Sequence, residues 1–86
     1  MKSIEIQAKV VDFVKAGSFS APYGVLTSEG KSKAGRPYLS VTFGRARTLD
    51  ATVEIYNKSF IVVRSSRTGS ATYRNVDDLF VALNSL

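Results

Sequence analysis

The sequence predicts an α+β fold that is mostly β: an antiparallel sheet of five or six strands with one amphipathic helix at the C-terminal end. Three observations predict it. Leu39, Val41 and Phe43 alternate with Tyr38, Ser40 and Thr42, the period of a half-buried strand. Ala51, Val53 and Ile55 alternate with Thr52, Glu54 and Tyr56 in the same way. Val76, Leu79, Phe80 and Leu83 instead follow the i, i+3, i+4, i+7 spacing of a buried helical stripe. The chain has 86 residues, which suits one domain, 1–86. A domain of this size buries roughly 60–65% of its unfolded surface, enough to fold alone with little to spare.

The elements follow in order. Residues 4–14 hold five β-branched residues, and Ile4, Ile6, Ala8 and Val10 alternate with Glu5, Gln7 and Lys9. That is a strand pattern, and a bulge near Val10-Val11 accounts for the shift of parity to Val11 and Phe13. A helix competes: Ser3 can cap it, Glu5 and Lys9 can pair, and Gly17 can close it. The strand is preferred because Ile6 falls off the helical stripe. Ala16 to Pro22 reads as a loop, with Phe19 as a lid on the core or a stacking ring. Tyr23 to Thr27 is a short strand. Ser28 to Gly35 makes a glycine-containing basic hairpin tip, and Pro37 stands at the entry to the next strand, where a missing N–H is allowed. Gly44 marks a bulge or a close backbone approach. Asn57-Lys58 is a two-residue turn candidate. Phe60 to Val63 is apolar on both parities and predicts the central, most buried strand. Arg67 to Ser70 forms another turn, and Ala71 to Arg74 the last strand. Asn75 caps the helix, with Asp77 and Asp78 in its first turn, beside the positive end of the dipole.

Composition narrows the function. There is no histidine and no cysteine, which removes the commonest general base, the usual soft metal ligands, the thiol nucleophile and disulfides. The seven acids are scattered, so a non-catalytic protein is expected. Gly30, Gly35 and Gly44 lack the spacing of a dinucleotide or P-loop fingerprint, and no cofactor or metal is implied. The first residues carry Glu5 and no continuous apolar block, so no signal peptide, membrane span or membrane partner is expected, and a cytoplasmic location is. The net charge of +5 and a pI of about 9.8 favour a polyanionic partner.

The basic stretch from Lys31 to Arg47 gives that partner a site. It holds Lys31, Lys33, Arg36, Arg45 and Arg47 with no acid among them. It runs into a strand that turns Arg36, Tyr38 and Thr42 away from the core. Cations beside an outward aromatic suit a single nucleic-acid strand, the cations meeting phosphates and the ring meeting a base. Glu54 and Tyr56 are expected on the same uncovered face, with Arg64 and Arg74 joining if the register allows; each tyrosine can equally serve as a cross-strand packing partner. Arg45 and Arg47 have core-facing parity and need the bulge at Gly44, or the end of the strand, to release them.

Ser32-Lys33-Ala34-Gly35-Arg36-Pro37-Tyr38 resembles the basic-Gly-basic-Pro-Tyr loop of the small single-stranded-DNA-binding proteins of filamentous phages, and Lys2-Ser3-Ile4-Glu5-Ile6 is similar to their first strand. The resemblance covers about the first half of the chain. It implies an OB-like small barrel, a homodimer, and cooperative, sequence-tolerant coating of single-stranded DNA. On matching positions it implies phosphate contacts at Lys33 and Arg36 and a stacking ring at Tyr38. The C-terminal helix departs from that family's pattern.

Other readings of the same residues stay open. RNA or duplex DNA could take the place of single-stranded DNA; three strands followed by a helix, as in Ala51–Leu86, would fit a reader that lays its sheet in the major groove. A small phage or plasmid protein that inhibits a host complex by protein–protein contact is the third reading. Exposed strand edges on so small a domain also predict a homodimer.

Overall fold

The computed structural model describes residues 2–16, 25–45, 48–65 and 69–85. Two helices, α1 (Ser3–Ala16) and α2 (Val76–Asn84), flank five strands in the chain: β1 (Val25–Lys31), β2 (Pro37–Arg45), β3 (Thr48–Asn57), β4 (Phe60–Ser65) and β5 (Gly69–Tyr73). The strands form one antiparallel meander in the order β1-β2-β3-β4-β5. The predicted α+β, mostly β architecture is therefore present, with a second helix at its start.

That helix corrects the strand expected over residues 4–14. The buried stripe of α1 is Ile6, Val10 and Val14, at i, i+4, i+8, with Val11 and Phe13 packed beside it. Ile6 anchors the stripe, and it is Ile4 that lies off it, 58% exposed. The β-branched residues cost only tenths of a kcal/mol each as helix formers, and burial of an amphipathic face outweighs that. The N-terminus is held by half a capping box: the Lys2 N–H donates to Glu5 Oε1 at 3.3 Å. Ser3 is not the cap; its hydroxyl donates to the Tyr56 carbonyl and ties the helix to β3.

Both helices lie on one face of the sheet. Ile6, Val10 and Val14 of α1 and Leu79 and Leu83 of α2 share a core with Val41, Phe43, Ala51, Val53, Ile55, Ile61 and Val63. Phe13 and Phe80 join the helices, ring centroids 5.2 Å apart. The α2 cap is as expected: Asn75 Oδ1 accepts from the Asp78 N–H at 2.8 Å.

Three further expectations are corrected. The sheet does not close into an OB-like barrel: among the described strands β1 and β5 are separate edges, because two helices, not a second turn of sheet, cover the apolar face. The segment Phe60–Val63 is not central; β3 is. Ile61, Val62 and Val63 are all buried, but Val62 stands on the face opposite the helices, between Glu54 and Thr72 in the strand register. The β3–β4 turn is one residue later than expected, with Lys58-Ser59 at its tip and Asn57 Oδ1 accepting from the Ser59 N–H. The irregularity expected at Gly44 is present, between Phe43 and Gly44. Gly17, Phe19 and Tyr23 lie outside the described residues, as do Arg67 and Thr68 of the turn before β5.

Candidate nucleic-acid interface

The face of the sheet opposite the helices has no layer over it among the described residues. The strand registers assign it Leu26, Ser28 and Gly30 of β1, Tyr38, Ser40 and Thr42 of β2, Thr52, Glu54 and Tyr56 of β3, Phe60, Val62 and Arg64 of β4, and Ser70 and Thr72 of β5.

An aromatic row crosses one end of this face. Tyr38 and Tyr56 pack with ring centroids 5.3 Å apart, and Tyr56 and Phe60 with centroids 4.9 Å apart. The rings are tilted by 53° and 37°, so they support each other edge against face while each stays only partly buried. Backbone geometry sets the row. Gly30 pairs with Tyr38 across β1 and β2, and its missing side chain is the space in which the tyrosine ring lies: a Cβ there would stand 2.6 Å from the Tyr38 hydroxyl. Tyr56 sits where the β3–β4 register slips between Ile55 and Asn57, a bulge that re-aims its side chain and leaves its carbonyl to accept from Ser3.

Cations border the row. The β1–β2 hairpin turn is closed by the Ser32 carbonyl accepting from the Gly35 N–H, with Gly35 at φ +81°, and by the Arg36 N–H donating to Ser32 Oγ. This turn carries Lys33 outward and brings the Arg36 guanidinium over the Phe60 ring, 5.9 Å from its centroid. Arg64 is exposed on the same face and donates to Glu54 Oε1 at 3.2 Å and to Ser70 Oγ at 3.3 Å. Behind the row lies a strip of hydroxyls. Ser28 and Ser40 share a hydrogen bond of 2.6 Å, and Thr42 and Thr52 one of 3.3 Å.

The phenol of Tyr56 is held above its ordinary pKa of 10.0. Partial burial under its neighbours is the larger cause, followed by the Glu54 carboxylate and Tyr38; Arg64 and Arg36 pull the other way. The hydroxyl therefore stays a neutral donor throughout physiological pH.

Of the residues singled out in the sequence, Arg36, Tyr38, Tyr56 and Arg64 are brought together here, and Lys33 stands at the rim. Lys31 has the opposite parity to the open-face Gly30, yet it lines a pocket of about 410 Å³ together with Ser3, Tyr38, Leu39, Ile55 and Tyr56, so it stands beside two of the rings at this end of the sheet. Arg45 ends β2 opposite Thr48 in the backbone ladder. Arg47 lies outside the described residues.

Phe60 was missed by the sequence reading, which assigned it to the core run Phe60–Val63. The signal was parity. With Ile61 and Val63 inward, Phe60 falls on the side of Tyr56 and Arg64.

Among the described residues, no helix is long and apolar enough to cross a membrane, and no group of His, Cys, Asp or Glu side chains could hold a metal ion. Comparison with protein-family models, with curated proteins and with solved structures finds no match to this chain.

Proposed function

We propose that this protein binds single-stranded nucleic acid, chiefly DNA, on the open face of its sheet, without catalysis. The observation that carries the reading is the row Tyr38–Tyr56–Phe60 with Arg36 set over its far ring. Three mutually supported rings offer a rigid apolar ledge on a face whose other residues, Leu26 and Val62 apart, are mostly polar. Bases from a single strand can stack on it, at about 1–3 kcal/mol per base, while Lys33 and Arg36 meet the phosphates. The basic balance of the whole chain, +5, draws the polyanion in.

The width of the sheet favours a single strand over a duplex. Five strands about 4.8 Å apart span roughly 19 Å. The major groove of B-DNA is only about 12 Å wide and takes a helix or a two-stranded ribbon. A single strand has its bases free to lie on the ledge, whereas a duplex hides them. The reading rests on this face and not on the phage-protein resemblance, whose barrel this chain lacks.

Titration with oligo-dT and with duplex DNA at two salt concentrations tests it. Oligo-dT should bind more tightly. If Lys33 and Arg36 each neutralise one phosphate, log K should fall with log salt at a slope of roughly −1.4, at about 0.7 per phosphate. Arg36→Ala should flatten that slope by roughly 0.7. Tyr38→Ala should weaken binding by about 1–3 kcal/mol and leave the slope unchanged, because stacking releases no counterions. A folded protein that shows no preference for oligo-dT over duplex would overturn the proposal.

A further inference from the structure

Glu54 is out of place on a phosphate-binding face. Among the described side chains it is the one carboxylate there, and it stands at the centre of the sheet, on β3, two residues from Tyr56. Its side chain is 13% exposed, against 56% for its partner Arg64. Oε1 accepts from Arg64 Nε, so the carboxylate is fixed in direction. A carboxylate has about four lone-pair sites, and one hydrogen bond leaves acceptor capacity for a ligand. Arg64 has five N–H donors, and two of its described contacts use the Nε and Nη1 atoms, toward Glu54 and Ser70. The pair thus presents acceptors and donors side by side.

Position decides what these groups can meet. Glu54 and Tyr56 point to the same side about 7 Å apart along the strand. A base stacked on the Tyr56 ring extends by roughly its own width, so its edge, not its phosphate, comes to Glu54. Phosphate is excluded from that spot by like charge. The edges of unstacked bases are what single-strand binders read.

Resting on the proposed function of this face, we infer that Glu54 and Arg64 form a base-edge reader that favours guanine and rejects thymine. The Watson–Crick edge of guanine carries two adjacent N–H donors, on N1 and N2, beside the O6 acceptor. Glu54 accepts from the donors and Arg64 donates to O6. Thymine presents a single donor, N3–H, between two carbonyl oxygens, and those oxygens face the carboxylate lone pairs. Cytosine and adenine lie between, because each offers one amino group to Glu54 and a ring nitrogen to Arg64. The aromatic row thus provides tolerant stacking, and this pair adds a preference at one position.

The test is a competition between a short oligo-dT and the same oligomer with one dT replaced by dG, using the full chain. The dG oligomer should bind about tenfold more tightly, the discrimination expected of one good bidentate contact. Glu54→Gln should bring the ratio close to one, since an amide can offer either a donor or an acceptor, and should not weaken oligo-dT binding, since a repelling charge is gone. Circular dichroism checks that the variant is folded. A second variant, Arg64→Lys, keeps the charge but loses the planar fork, and should reduce the ratio with the salt slope unchanged. Equal binding of the two oligomers by the native protein would overturn this inference and leave the single-strand reading standing. Loss of affinity for both oligomers in Glu54→Gln with an unchanged ratio would make Glu54 only a support for Arg64. Failure of both oligomers to bind would remove the proposed function and this inference together.

Discussion

Gly30→Ala separates the aromatic ledge from the stability of the fold. The ring of Tyr38 lies where the new methyl group would go, with its Oη at 2.6 Å, Cζ at 2.7 Å and Cε1 at 3.2 Å from the added carbon. To regain an ordinary van der Waals separation the ring must retreat by about 1 Å. It can do so by swinging outward, since it is the far end of a partly exposed side chain. That motion opens the contact with Tyr56, worth about 0.5–1.5 kcal/mol. Against this, alanine restricts the unfolded chain more than glycine does, which returns about 0.4–1 kcal/mol. The two nearly cancel, so the midpoint of urea unfolding should shift by less than the equivalent of about 1 kcal/mol. Binding should respond differently. A displaced Tyr38 no longer continues the surface of Tyr56, and oligo-dT affinity should drop by about 1 kcal/mol or more, up to the full stacking contribution of one ring. The assays are chemical denaturation and fluorescence anisotropy of a labelled oligo-dT, on the same preparation. Unchanged oligo-dT affinity in a folded Gly30→Ala protein would refute the argument that the seating of Tyr38 on Gly30 matters to the ligand.

Three other outcomes are expected. Leu79 is fully buried under α2, so Leu79→Ala should lower unfolding stability by about 2–5 kcal/mol on a denaturation curve; a loss under about 0.5 kcal/mol would contradict its burial. Tyr56 should titrate above 10.0, read as the difference in phenolate absorbance between the native protein and Tyr56→Phe, and Glu54→Gln should bring it back toward 10.0. Because the folded value is raised, the neutral phenol is the favoured form; its contribution to stability is complete below pH 10 and is lost as pH rises through the folded value. Finally, β5 is an edge strand whose residues, Gly69 to Tyr73, carry no charge and no proline, whereas the other edge, β1, carries Glu29 and Lys31. We expect a homodimer paired through β5, with light scattering giving about twice the 9.4 kDa chain mass and Thr72→Pro reducing it to the single chain; a monomer at tens of micromolar would refute it.

The strands and the C-terminal helix were legible because each carries its own period. Tyr38 to Phe43 and Thr52 to Tyr56 alternate strictly, and a period of two has one solution when one side must be buried. The Val76–Leu83 stripe is equally unambiguous, with a cap residue directly before it. From the same alternation the sequence placed Tyr38, Tyr56 and Glu54 on the uncovered side, and the glycine at position 44 marked a bulge or a close backbone approach, of which the structure has the bulge.

Residues 4–14 were not legible, because they satisfy both periods. Ile4, Ile6, Ala8 and Val10 alternate, while Ile6, Val10 and Val14 make a helical stripe. Only the hydrophobic surface of β2 and β3, waiting for a cover, chooses between them, and that surface is assembled from strands distant in the chain. The aromatic row has the same origin. Tyr38, Tyr56 and Phe60 meet because pairings between separate strands set their heights, a register slip at Tyr56 aims one ring, and Gly30, on a strand with no ring of its own in the row, makes room for another. The sequence by itself determined the local periods, the charge and the faces of the strands. Tertiary structure decided how the cations stand to the rings, setting Arg36 over Phe60 and placing Lys31 in a pocket shared with Tyr38 and Tyr56, because pairings between separate strands bring these positions to one end of the sheet.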